Sequence, residues 1–312
     1  MTLLDQAARH PRAAALVGAL CIAFSGILFR FSGTTPATAT VFRCLYALPW
    51  LAALAWLERR RVGAPQRREV RLAVLAGIFF TGDLLAWHHA VLAVGAGLAT
   101  VLANLQVVVV AGAAWLLLGE RPPRPVLIAL PLMLGGVVLI SGVVGAGAYG
   151  ADPPLGVVLG LVAAACYAGY LLLARHGIGA DGRPATGLLL ATASTALVAA
   201  LVGTLLGEFS PLPTWPAHGW LVLLAFTSQV AGYLLISSSL PRLPAVLTSL
   251  ILMAQPITTV TAGFVLLGED PSAAQLVGVL LVVSGLLVAT LRRGQGQPAA
   301  RTRAASAGTR LT

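Results

Sequence analysis

Lysine is absent from this 312-residue chain, so all 20 of its cationic residues are arginine. Charged residues of both signs make up only 10% of the sequence, against about a quarter in an average soluble domain. Hydrophobic residues fill 58% of the positions and the mean hydropathy is +0.91, which excludes an ordinary water-soluble fold. The missing lysine also excludes a P-loop nucleotide site, because that motif requires one.

Cysteine is also scarce. Cys21, Cys44 and Cys166 lie inside apolar runs, at none of the spacings typical of metal sites or disulfide frameworks. The glycine-rich stretch 145–150 matches the letters of a dinucleotide fingerprint. That motif binds a cofactor only between a strand and a helix of a soluble domain, so it carries no weight here. The sequence therefore predicts no metal and no cofactor.

Apolar runs of about 20 residues are abundant, and each is long enough to cross a hydrocarbon core of about 30 Å. Charge clusters and Pro/Gly punctuation divide the chain into ten such runs. They cover residues 13–31, 36–57, 72–93, 96–118, 125–143, 155–174, 185–206, 219–240, 244–267 and 272–291. The predicted fold class is an all-α integral membrane protein with ten transmembrane helices.

The arginines are distributed very unevenly between the two sides of such a bundle. If both termini are cytoplasmic, 18 of the 20 fall in segments on the cytoplasmic side. The positive-inside rule therefore predicts a multi-pass protein of the plasma (inner) membrane with cytoplasmic N and C termini. Short loops beside anionic lipid also explain the net charge of +10, so nucleic acid is not an expected partner.

The two halves of the chain repeat each other. Matching residues at a constant offset of 149 are Thr100 and Ser249, Gln106 and Gln255, and Glu120 and Glu269. Each half holds five spans, an odd number, so the second half must lie inverted in the membrane. The predicted segments are a cytoplasmic N-terminus (1–12), a first repeat (13–143), an external linker (144–154), a second repeat (155–291) and a disordered cytoplasmic tail (292–312).

The stretches 82–88, 99–106 and 115–121, with their counterparts 243–245, 255–256 and 268–269, are similar to the EamA-type branch of the drug/metabolite transporter superfamily. The resemblance covers both repeats. It implies a ten-helix carrier with a central cavity between the repeats, typically exporting amino acids, other metabolites or toxic compounds. Gln106 stands where many relatives have proline, so the residue that would kink the fourth span is missing.

Asp83 is the only acid well inside a predicted span. A lone carboxylate at that depth costs about 2.5 to 3.5 kcal/mol on insertion scales unless it faces a cavity or a partner. Two roles stay open for it, a structural one in helix packing and a cavity-lining one that couples transport to protons. Trp87, four residues on, shares a helix face with Asp83 and offers a stacking surface.

Other polar residues within the spans complete the predicted cavity. His88 follows Trp87 and carries imidazole, the side-chain group that ordinarily titrates near physiological pH, although an interfacial position explains it equally well. Arg43 is either an interfacial residue that snorkels outward or the group that binds a substrate carboxylate. The uncharged members of the predicted site are Asn104, Gln106, Tyr167, Tyr170, Gln229, Tyr233, Ser237 and Gln255. Hydrogen bonds between helices explain any single one of them.

The sequence is best interpreted as a secondary transporter, an exporter of small metabolites such as amino acids, working by alternating access around a midplane site. Its expected partners are the small-molecule substrate and the lipid bilayer, and it is not expected to be an enzyme. The alternatives are a polytopic membrane enzyme or a non-transporting scaffold. An enzyme would show clustered carboxylates or histidines, whereas this chain has one isolated intramembrane acid.

Overall fold

The fold is seen in a computed structural model that describes residues 10–118, 124–176, 183–212, 214–239, 243 and 251–291. Every regular element within these ranges is helical. The first half contains α1 (Pro11–Ala23), α2 (Ser25–Ser32), α3 (Pro36–Val62), α4 (Arg67–Val94), α5 (Ala96–Ala103), α6 (Gln106–Leu118) and α7 (Arg124–Ile140). The second contains α8 (Pro153–His176), α9 (Pro184–Leu205), α10 (Ala217–Leu224), a π-helical segment (Ala225–Gly232), α11 (Tyr233–Ser239), α12 (Ala254–Leu267) and α13 (Ala273–Leu291).

The apolar character of these helices places the chain in a membrane. Within the residues that the structure describes, seven helical stretches are long and apolar enough to cross a bilayer, and three shorter apolar helices accompany them. Large apolar side chains such as Ile128, Leu201 and Leu280 lie exposed on the surface of the bundle. An apolar surface of this kind is stable in contact with lipid rather than water. Helices suit that environment because they satisfy their own backbone hydrogen bonds. The chain is a multi-pass membrane protein.

The second and third predicted spans belong to helices that are longer than the apolar runs. α3 begins at Pro36, where Thr35 caps its first turn, and continues to Val62 through three arginines. α4 begins at Arg67, before the predicted residue 72, because Gln66 and Glu69 form a reciprocal capping box. Helical structure therefore carries the arginines beyond the hydrocarbon region, where their charges reach water.

The fourth predicted span is interrupted although residue 106 is glutamine and not proline. α5 ends at Ala103 and α6 starts at Gln106. The Asn104 side chain donates from Nδ2 to the Thr100 carbonyl at 2.8 Å, and the next backbone bond, Leu105 to Leu102, spans three residues instead of four. An asparagine that competes for a backbone carbonyl in this way tightens the helix locally.

Helices from the two halves pack against each other in pairs. α3 packs along α9, α4 along α8, α7 along α13, and α5 against α12. Glycine makes the closest crossings possible. A Cβ added at Gly77 would lie 2.4 Å from the Ala191 carbonyl oxygen, and one at Gly136 would lie 2.6 Å from that of Gly278. Small residues at such crossings allow the backbones to touch, which stabilises helix pairs in lipid.

Some predicted features lie outside the described residues. They include residues 1–9, Glu120 and the tail 292–312. The same holds for residues 244–250 at the beginning of the predicted ninth span.

Candidate functional site

A cavity of about 350 Å³ lies inside the bundle, between helices of both halves. Its polar and aromatic lining residues are Ser25, Arg43, Asp83, Trp87, Thr100, Asn104, Gln106, Tyr167, Tyr170, Tyr233 and Gln255. Its apolar lining residues are Ile22, Ala23, Leu84, Ala103, Leu171, Ala174, Ile236 and Leu252. A cavity of this size and mixed lining suits a small polar molecule that carries an apolar or aromatic part.

Arg43 of α3 is 2% exposed and is held by the π-helical segment. Its Nε donates to Oε1 of Gln229 at 3.0 Å and its Nη2 donates to Oγ of Ser228 at 3.0 Å. π-helical turns are rare and frequently mark functional sites, because they redirect side chains that an α-helix would aim elsewhere. The two bonds fix the plane of the guanidinium group at the cavity wall.

Gln229 lies behind Arg43 and does not line the cavity. Its Nε2 donates to Oγ1 of Thr192 on α9 at 3.0 Å, while its Oε1 accepts from Arg43. The amide therefore joins α3, the π-helical segment and α9 in one hydrogen-bonded network. A network with all its members bonded holds a buried charge in a single orientation.

Asp83 and Trp87 lie one turn apart on α4, and both reach the cavity. Asp83 is 7% exposed. Within the described part of the chain, no cation lies within 4.0 Å of its carboxylate. The cavity wall therefore contains one carboxylate and one guanidinium that are not paired with each other. No ion pair between them therefore competes with a ligand of opposite charge, although two nitrogens of Arg43 are bonded to Gln229 and Ser228.

Aromatic rings form the wall beside these charges. The rings of Phe80 and Tyr170 stack with centroids 4.7 Å apart, and those of Tyr167 and Tyr170 stack at 5.6 Å. The Tyr233 ring meets Phe80 edge-on at 5.6 Å. Aromatic faces supply a large contact area at low entropic cost and favour a flat or apolar ligand group.

His88 lies away from the cavity. It is fully buried, its Nδ1 is 2.9 Å from Oγ1 of Thr40, and its ring lies 4.3 Å from that of Phe29. The next residue, His89, points elsewhere, with Nε2 3.2 Å from a carboxylate oxygen of Glu208. Adjacent helical residues point about 100° apart, so Trp87 reaches the cavity and His88 does not.

The remaining predicted residues fall into two groups. Asn104, Gln106 and Gln255 line the cavity at the interrupted spans. The side chain of Ser237 lies outside the described part of the structure. Sequence reasoning missed Thr100 and Ser25 as lining residues. Thr100 precedes Asn104 by four residues and so shares its helix face, a signal that the sequence contains.

A contact between the halves lies at the start of α5, one turn before Thr100 of the cavity wall. The Glu269 carboxylate, 2% exposed, accepts from the backbone amides of Ala96 at 2.6 Å and Gly97 at 3.1 Å, at the start of α5. Glycine makes room for it, since a Cβ added at Gly263 would lie 2.3 Å from its Oε2. A carboxylate at this position also complements the helix dipole.

The loop 141–152 lies beside the same contact. Gln275 of α13 accepts from the Tyr149 amide at 2.8 Å and donates to the Tyr149 carbonyl at 3.0 Å. Burial raises the pKa of the Tyr149 phenol above its usual range, the Glu269 charge adds to this, and Arg30 opposes it. The phenol is therefore neutral at physiological pH and adds no second negative charge next to Glu269.

The hydrogen bonds of the Glu269 carboxylate predict a large loss of stability for Glu269→Ala. Two buried amides would lose their acceptor, which costs about 2 to 4 kcal/mol in total. We expect a clearly lower thermal unfolding midpoint in detergent than for the unchanged protein. Asp270→Ala is the matched control, because this neighbouring acid is exposed and should leave the midpoint unchanged. Equal midpoints for the two variants would show that the Glu269 contact does not stabilise the protein.

A cavity lined by polar and apolar side chains within a multi-pass helical bundle is typical of membrane transport proteins. Comparison with known families agrees with this class. The profile of the EamA-like transporter family matches residues 13–142 and 154–291. The chain belongs to this family.

Relatives extend along most of the chain. YcbK of Bacillus subtilis (strain 168), named an uncharacterized transporter, is 26% identical over 302 residues, covering 90% of this chain and 93% of its own. YwfM of the same organism, also named an uncharacterized transporter, is 26% identical over 255 residues, covering 81% and 84%. One solved crystal structure aligns with a TM-score of 0.61 at 18% identity, over 92% of this chain and 98% of its own. At that identity the likeness is one of fold.

Proposed function

We propose that this protein is a secondary carrier that exports small zwitterionic metabolites, such as amino acids, by alternating access. The observation that carries the proposal is the presence of Arg43 and Asp83, which form no ion pair with each other, on the wall of one cavity. A substrate with a carboxylate and an amine would meet both groups. The aromatic wall formed by Tyr167, Tyr170 and Trp87 would then receive its side chain.

We infer ten spans in two inverted five-helix halves, and the helix pairing supports this arrangement. α3 and α9 hold the same place in the two halves, as do α7 and α13, while α5 and α12 are parts of the equivalent fourth and ninth spans. Each of these equivalent pairs is in contact. A two-fold axis in the membrane plane relates the members of such pairs to each other, which is the symmetry of inverted-repeat transporters.

The contacts at the two ends of the α3–α9 pair support the same symmetry. At the end of α3, the Glu58 carboxylate accepts from the amides of Ala185 and Thr186 at 2.8 Å, at the start of α9. Beyond the end of α9, the Glu208 carbonyl accepts from the Thr38 hydroxyl at 3.2 Å, at the start of α3. Both contacts join a glutamate at or beyond the end of one helix to the first turn of the other, through a carboxylate in one case and a backbone carbonyl in the other.

In the proposed orientation both termini are cytoplasmic, which places the contact of Glu269 with the start of α5 on the external side of the membrane. α8 and α11 belong to spans that start on the external side in this orientation. Their cavity-lining residues, among them Tyr167 and Ala174 of α8, lie in the later parts of those spans. The cavity thus extends from the midplane towards the cytoplasm. This geometry suits a carrier that accepts its substrate from the cytoplasmic side.

Counterflow in proteoliposomes tests the function. Vesicles loaded with a high concentration of one unlabelled amino acid should take up the same labelled amino acid transiently, and the initial rate should saturate with concentration. A panel should include aromatic, aliphatic, acidic and basic amino acids. Protein-free vesicles give the background rate. A non-saturating rate would indicate a channel, and a background rate across amino acids, nucleosides and sugars would contradict a carrier for these compounds.

Reporter fusions test the orientation. Fusions after Arg68 and at the C-terminal end should both report the cytoplasm, whereas a fusion at Tyr149 should report the outside. The prediction depends on the arginine asymmetry, which acts through short loops beside the membrane. An external result at the C-terminal end would mean an odd number of spans and would contradict the inverted arrangement.

A further inference from the structure

Six exposed arginines surround the short connection between α3 and α4. Arg59, Arg60 and Arg61 occupy the last turn of α3, and Arg67, Arg68 and Arg71 lie in the first two turns of α4. We call these six residues the arginine hairpin. Four residues, 63–66, join the two arms, so both sets of guanidinium groups occupy the same end of the bundle.

The acids of this region do not neutralise the arginine hairpin. Glu58 accepts from the amides of Ala185 and Thr186 on α9. Glu69 is 7% exposed and accepts from Nη1 of Arg183 at 3.0 Å. Among the residues that the structure describes, no carboxylate lies within ion-pair distance of the six arginines. Six positive charges are therefore available to a partner outside the chain.

Helix stability does not explain half of these charges. Arginines at the end of α3 are favourable, because the helix dipole places partial negative charge there. Arg67, Arg68 and Arg71 stand at the start of α4, where the dipole is positive and cations are unfavourable. Their presence at an unfavourable position is explained if an anion binds to them.

A tryptophan indicates where the arginine hairpin lies relative to the bilayer. Trp56, 51% exposed, precedes Arg60 by one turn of α3, and the guanidinium carbon of Arg60 lies 3.6 Å from the centre of its ring. Exposed tryptophans concentrate at the level of the lipid headgroups. The cation–π contact holds Arg60 at this level, so the nearest anions are lipid phosphates.

We propose that the arginine hairpin is a binding site for the headgroup of an anionic phospholipid. Bidentate guanidinium groups match phosphate oxygens, and arginines on two helix arms can contact one headgroup from both sides. The site is separate from the cavity, and the proposal does not depend on the substrate or on the direction of transport. The lipid would bind the region that joins α3 to α4. These two helices carry the cavity residues Arg43 and Asp83.

Lipid binding to the full-length protein in detergent tests the proposal. Phosphatidylglycerol and phosphatidylcholine with identical acyl chains are titrated in, and bound lipid is counted by native mass spectrometry. The unchanged protein should retain phosphatidylglycerol preferentially. Replacing Arg67, Arg68 and Arg71 with Gln should weaken its affinity roughly tenfold or more, because each arginine near an anionic surface contributes attraction. A second variant with Gln at positions 59–61 should show the same loss.

The control removes the same charge elsewhere. Gln in place of Arg301, Arg303 and Arg310 should leave phosphatidylglycerol binding unchanged. Equal weakening in the tail variant would mean that net charge alone attracts the lipid, and equal retention of phosphatidylcholine by the unchanged protein would mean that the headgroup charge is not recognised. Displacement of the lipid by the same concentration of inorganic phosphate would assign the site to a soluble anion. Each of these three results would overturn the proposal.

Discussion

Asp83→Asn should abolish accumulation of substrate driven by a pH gradient and leave counterflow intact. The substitution keeps the size and shape of the side chain but removes its titration. Alternating exposure of Asp83 to the two sides would let proton binding on one side and release on the other drive the cycle. One proton moving down 100 mV yields about 2.3 kcal/mol, enough for roughly a fifty-fold gradient of a neutral substrate. The variant should lose that gradient.

The environment of Asp83 allows it to bind either a proton or a cationic group. The titratable groups around it are Arg43 on α3, Cys166, Tyr167 and Tyr170 on α8, and Tyr233 on α11. Of these only Arg43 is a cation, and it is bonded to Ser228 and Gln229. A substrate amine entering the cavity would therefore compete with the proton for the Asp83 carboxylate. Such competition is the simplest way to couple the two movements.

The measurement compares proteoliposomes with an imposed pH gradient and proteoliposomes without one. Asp152→Asn is the matched control, since it makes the same chemical change at an exposed residue that caps α8 by accepting from the Leu155 amide at 3.0 Å. The control should accumulate substrate normally. Normal accumulation by Asp83→Asn as well would make the carboxylate structural, and uncoupled facilitated transport would then replace the proposed coupling.

Arg43→Gln should weaken substrate affinity by roughly ten- to a hundred-fold, because a hydrogen bond to a charged group contributes about 1.5 to 3 kcal/mol. The guanidinium group is buried at the cavity wall, and we expect it to bind the substrate carboxylate. Arg43→Lys keeps the charge but cannot bond both Ser228 and Gln229 in the same plane. It should therefore recover only part of the affinity.

The apparent affinity is measured as the concentration giving half-maximal counterflow. Arg30→Gln is the matched control, because Arg30, the other arginine within the ten predicted spans, is exposed and does not line the cavity. It should retain the affinity of the unchanged protein. The unfolding midpoint of each purified variant shows whether a weaker affinity reflects loss of fold. Unchanged affinity in a folded Arg43→Gln protein would remove Arg43 from the substrate site.

The Glu269 contact and the cavity are connected through the chain. Glu269 caps the start of α5, and α5 also carries Thr100 at the cavity wall. Releasing the Ala96 and Gly97 amides would free the first turn of this helix, which is the movement that outward opening requires under the proposed mechanism. The interruption at Asn104 gives α5 an end at the cavity, so the segment can move separately from α6.

Hydropathy along the sequence was sufficient to predict a helical membrane protein, and the resemblance of stretches such as 82–88 and 99–106 predicted the EamA-like family. A transmembrane helix can be predicted from local composition, because it needs only about 20 consecutive apolar residues. The same reasoning selected Asp83, Trp87 and Arg43, all of which line the cavity. Intramembrane charges are costly, so their few positions are informative without any knowledge of the fold.

Only the tertiary structure decided which neighbours these residues have. Arg43 meets Ser228 and Gln229, 185 and 186 positions away, because a π-helical turn redirects them. His88 turns to Thr40 rather than to the cavity, although it stands beside Trp87 in sequence. Periodicity gives the relative direction of residues on one helix, but it cannot say which face meets which partner helix. That choice depends on packing between segments far apart in the chain, where glycine and side-chain shape determine the contacts.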